Sequence, residues 1–121
     1  MILAMTLLLS CQKKDDAQRP PALTTQNASD YFVDYISHQS VVNSVQSTFY
    51  FTLKLKNVSE LNKVIVYSDN FLTWGIQTTV LALKTTNQTI WIGNGLHCTY
   101  WYKFFLNDGR VIETLTKELK R

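Results

Sequence analysis

Apolar and polar residues alternate with a period of two through much of the chain. Phe49, Phe51, Leu53 and Leu55 alternate with Tyr50, Thr52, Lys54 and Lys56, the pattern of a strand with one face buried. Val64 and Val66 resume the alternation after a turn-like stretch at 57–62. Residues 76–84 are rich in Thr, Val and Leu, and 89–92 form a further short apolar run. Tyr100, Tyr102, Phe104 and Leu106 then alternate with Trp101, Lys103 and Phe105. Asn107-Asp108-Gly109-Arg110 reads as a hairpin turn, because Gly adopts positive φ without steric cost and Asp bonds its own backbone. Val111–Leu115 is the returning strand, and a first strand at 31–37 brings the expected total to about seven. Helical periodicity is confined to the tail, 113–121.

Strands of this number and spacing predict an all-β fold: a small antiparallel β-sandwich of the immunoglobulin/fibronectin-like kind, with a six- to eight-stranded barrel as the alternative. Composition divides the chain. All fifteen aromatic residues lie between Tyr31 and Phe105, which puts the sandwich domain at 30–116. Residues 11–29 are polar, carry Pro20-Pro21 and cannot bury a core, so they form a tether. Residues 117–121 are a basic tail. Residues 1–10 are apolar and far too short to span a bilayer, which takes about 20.

That apolar run ends in Leu8-Leu9-Ser10-Cys11. It resembles the lipobox of bacterial lipoproteins, with an apolar residue, then a small residue directly before the cysteine. The resemblance implies a signal peptide over 1–10 and acylation of the Cys11 thiol, which would hold the protein at a membrane. Cys11-Gln12-Lys13-Lys14-Asp15-Asp16 is similar to the surface-export signal of Bacteroidota lipoproteins. This implies an outer-membrane lipoprotein facing the cell surface; a solvated linker accounts for the same charges. No Lys or Arg precedes Cys11, so the natural start is expected upstream of Met1.

Catalytic chemistry is sparse. His38 and His97 sit in no metal-ligand spacing, and the neighbours His97 and Cys98 point to opposite faces of a strand. No phosphate-binding glycine loop or nucleophile elbow is present, and Gly93-Asn94-Gly95 reads as a turn. Asp34, Glu60, Asp69, Asp108 and Glu113 are scattered, and Asp108 is accounted for by its turn. The expectation is a protein that is not an enzyme and uses no cofactor or metal. A net charge of +3 lacks the dense basic stripe of a nucleic-acid binder. Cys98, a lone thiol once Cys11 is acylated, reads as a small core residue.

The surplus of aromatic residues is the site-like feature. If Tyr100, Tyr102 and Phe104 face inward, Trp101 and Phe105 face outward with Lys103, more apolar surface than a strand ordinarily exposes. Lys56-Asn57-Val58, Lys63-Val64-Ile65-Val66-Tyr67, Asp69 and Trp74 resemble a run in family 21 starch-binding modules, and Tyr102–Gly109 resembles the late hairpin of starch-binding sandwiches. The leading expectation is a non-catalytic, lipid-anchored module that binds a glycan. Trp74, Trp101 and Tyr67 would stack on sugar rings, while Asp69 and Asn70 would bond hydroxyls. The alternative is a protein-interaction, adhesion or accessory module docking through Trp101 and Phe105. Each Trp has a core-packing reading as well. A concave groove shared by Trp74 and Trp101 would favour the glycan, and a flat exposed strand face the protein partner.

Overall fold

The structure, a computed structural model, describes residues 22–42, 47–69, 75–95 and 97–120. A short helix α1 (Ala28–Phe32) leads into β1 (Val33–Val42) and β2 (Ser47–Leu55). A 3-10 turn (Val58–Glu60) precedes β3 (Leu61–Asp69). β4 (Ile76–Val80), β5 (Gln88–Gly95), β6 (His97–Leu106), β7 (Val111–Glu113) and β8 (Lys117–Lys120) complete the order. One sheet has the order β1-β2-β5; the other runs β4-β3-β6-β7, with β8 also paired to β6. The strand pairings among the described residues are all antiparallel. The fold is an all-β sandwich. Its fourth strand joins the sheet of β3 and β6, whereas immunoglobulin constant-type domains carry it on the opposite sheet.

The core is the meeting of two inward rows. β2 supplies Phe49, Phe51, Leu53 and Leu55, and β6 supplies Cys98, Tyr100, Tyr102, Phe104 and Leu106, all buried. Phe51 meets Tyr100 across the sheets at 5.0 Å between ring centroids, and Phe32 meets Phe104 at 4.9 Å. Val64 and Val66 of β3 share the row, followed by Ser68, whose hydroxyl donates to the Ile92 carbonyl at 2.6 Å. That bond ties the sheets together and satisfies the polar atom that burial would otherwise penalise. The hairpin at 107–110 forms as expected: Gly109 takes φ +93°, and Asp108 accepts bonds from the Arg110 backbone and side chain.

The structure departs from the sequence reading at both ends. Residues before 30 pack against the domain. Thr24 and Asn27 close a turn through their side chains, Ala28, Ser29 and Phe32 are buried, and Leu23 packs against the core. The polar tail is also part of the sheet, because 117–120 form β8 on β6 with Leu119 buried beside Cys98. The returning strand is therefore two short strands, separated at Thr114–Thr116, where the Thr114 hydroxyl accepts the Tyr102 N–H in place of a strand carbonyl. Gly93-Asn94-Gly95 lies within β5 instead of forming a turn.

Candidate functional site

Register decides which side chains share the outer face of the five-stranded sheet. Tyr67 pairs with Thr78 on one side and Trp101 on the other, so the three stand in one row. The next row is Val80, Ile65, Lys103 and Glu113, and the row beyond is Lys63, Phe105 and Val111. Directly opposed residues in an antiparallel pair project to the same face. Trp101 and Phe105 thus point outward while Tyr100, Tyr102 and Phe104 are buried, as the alternation predicts.

The Tyr67 and Trp101 rings lie parallel, 8° apart with centroids separated by 5.4 Å, an offset stack. One face of each ring is turned toward the other. The Trp101 indole N–H donates to a Glu113 carboxylate oxygen at 2.8 Å. The ammonium groups of Lys63 and Lys103 lie 5.8 and 5.6 Å from the Phe105 ring centroid. Ile76, Val80 and Val111 stand at the margins of this face, each at least half exposed. The result is an apolar and aromatic strip in which every central ring has a charged or aromatic companion.

Asp69 sits on the same outer face, opposite Ile76 and Thr99, one row from Tyr67. Cys11, Asn70 and Trp74 lie outside the described residues. The structure therefore brings together Tyr67, Asp69, Trp101 and Phe105 of the expected set. Trp91 is on the opposite side of the molecule, 41% exposed on the outer face of β5, with its indole N–H toward Asn94.

A second feature had no signal in the sequence. A cleft of about 380 Å³ opens at the side of the sandwich, between the edge strands β1 and β8. Its lining includes Tyr35, Tyr100 and Tyr102, with Asp34 and Lys56 paired at 3.0 Å, and Asp30 and Lys117. β1 shifts register beside the cleft, between Tyr35 and Ser37. The lining residues are distant in sequence and come from α1, both sheets and the β2–β3 junction, so no local pattern foreshadows them.

Burial pushes the Tyr100 hydroxyl up to about 12, with smaller contributions from Tyr35 and Cys98, and raises Tyr102 further. Both remain protonated donors at neutral pH. Burial likewise pushes the Cys98 thiol up to about 11, so it is an inert core group, consistent with its zero exposure. Among the described residues, no three His, Cys, Asp or Glu side chains are grouped to hold a metal ion. Searches with protein-family models, among curated proteins and among solved structures found no match to this chain.

Proposed function

We propose that the protein is a non-catalytic binding module of the cell envelope, anchored by lipid on Cys11, whose five-stranded sheet docks a protein partner through its outer face. The observation that carries the choice of partner is the Tyr67–Trp101 stack. A sugar stacks on an open ring face, and here the stack covers one face of each ring, which reduces the ring area a sugar can use. Side chains of a partner protein pack against ring edges and aliphatic margins equally well. Ile65, Phe105, Ile76, Val80 and Val111 extend that surface along the strands. Lys63, Lys103 and Glu113 supply charges of both signs beside it, which favours a mixed-charge, aromatic-lined interface over a highly charged ligand.

The anchor rests on the lipobox-like Leu8–Cys11, and outward display at the outer membrane rests on the polar run after it. Two measurements test the whole reading. Intact mass of membrane-fraction protein is expected to show acyl chains, lost in Cys11→Ser. A photo-crosslinking residue at Thr78 or Thr99 is expected to capture one envelope protein in living cells, and Trp101→Ala to abolish that capture. An unmodified cysteine removes the anchor. A glycan captured in place of a protein restores the carbohydrate-binding alternative at this face.

A further inference from the structure

The side cleft joins apolar rings and polar groups in a way the outer face does not. Tyr100 and Tyr102 stand edge to face, 88° apart, on the inward row of β6, and Tyr35 faces them from the edge strand β1, 46% exposed. Asp34 and Lys56 hold each other at 3.0 Å, and Asp30 and Lys117 complete the charged lining. Two carboxylates and two ammonium groups leave the lining without net charge, so it selects neither an anion nor a cation. A volume of about 380 Å³ falls at the small end of the range for ligand pockets.

We infer that this cleft binds a single ring of a neutral sugar. The Asp34–Lys56 pair presents an acceptor and a donor side by side, the arrangement that two adjacent ring hydroxyls meet, one donating to the carboxylate and one accepting from the ammonium group. The exposed Tyr35 ring offers the apolar surface on which the C–H face of the sugar lies. The pairing of Asp34 with Lys56 also fixes both groups before the ligand arrives, reducing the ordering cost of binding. The site is separate from the Tyr67–Trp101 face, so a sugar here and a protein there are compatible and independently testable.

The test uses the full chain, with methyl glycosides of glucose, galactose, mannose and N-acetylglucosamine titrated against backbone amide NMR signals. At least one glycoside is expected to shift the amides of Tyr35, Tyr100, Tyr102 and Lys117, with a Kd of about a millimolar, the scale for a small ligand in a shallow site. Tyr35→Ala is expected to weaken binding by about tenfold and Asp34→Asn by about threefold. Tyr35→Phe keeps the ring, and so controls for folding while retaining affinity. Trp101→Ala is expected to leave the affinity unchanged. The inference is overturned if no glycoside shifts those amides or if Tyr35→Ala binds normally. It is equally overturned if the zwitterion betaine produces the same shifts, or if Trp101→Ala alone abolishes binding. Only the last of these results bears on the Trp101 face, where it would put a glycan in place of the protein partner.

Discussion

The two faces of β6 carry aromatic residues in nearly equal supply and use them differently. Inside, Tyr100, Tyr102 and Phe104 meet Phe51, Phe32 and each other in tilted, edge-on and stacked contacts that fill the space between the sheets. Outside, no second sheet among the described residues covers Trp101 and Phe105, and their companions are Tyr67, the Glu113 carboxylate and two lysine ammonium groups. The inner rings gain from leaving water, so their removal is felt by the whole fold. The outer rings keep water on one side and contribute little to folding. Residues of one chemical type thus divide into buried and outward-facing sets by strand parity alone.

That division can be broken by substitution. Phe104→Ala empties a fully buried ring site and is expected to cost about 3–5 kcal/mol, a large part of the stability of a small domain. Denaturant unfolding checks it; a loss below about 1 kcal/mol would mean that the inner row is not the core. Alkaline titration probes the same row by charge. The unfolded Cys98 thiol ionises near 9, but the folded one only near 11, and Tyr100 is raised from 10 to about 12. Above the unfolded values the unfolded state releases protons first, so stability falls as pH rises from 9 toward 12. Melting curves across that interval should show the decline, with its first part flattened in Cys98→Ala.

On the outer face the expected effects shrink. Trp101→Ala removes the stack and the bond to Glu113, and should lower stability by only about 1 kcal/mol while abolishing partner capture. A loss as large as that of Phe104→Ala would place Trp101 in the fold and not in a site. The smallest effect is expected for Lys103→Ala, about 0.5 kcal/mol, because its cation–π contact with Phe105 is exposed to water. Equilibrium unfolding in matched buffers resolves the two.

The inner rows of β2 and β6 were legible in the sequence because each holds four or more large apolar residues at strict two-residue spacing. The outward placement of Trp101 and Phe105 followed from the same count. α1 was not legible: Ala28 and Ser29 are small and lie among polar residues, and their burial comes from the turn that Thr24 and Asn27 close. β8 was missed because Leu119 is its only apolar residue, and one residue defines no period. The stacking of Tyr67 on Trp101 needed the register of β3 against β6, which hydrophobic spacing on either strand alone does not specify. The cleft is lined by residues far apart in sequence, from Ser29 to Lys117, which no local pattern links.

The clamp around Thr24 and Asn27 bears on how the domain carries force. Asn27 accepts from the Thr24 backbone N–H and donates to the Ala22 carbonyl, and the Leu115 N–H donates to the Thr25 carbonyl between β7 and β8. Just beyond, Asn57 donates to the Tyr31 carbonyl and the Lys56 N–H to that of Phe32. A pull arriving through the residues before Ala22 is therefore shared among attachments to both sheets before it reaches β1. The long edge strand, whose pairing with β2 would otherwise peel one bond at a time, is shielded from that load.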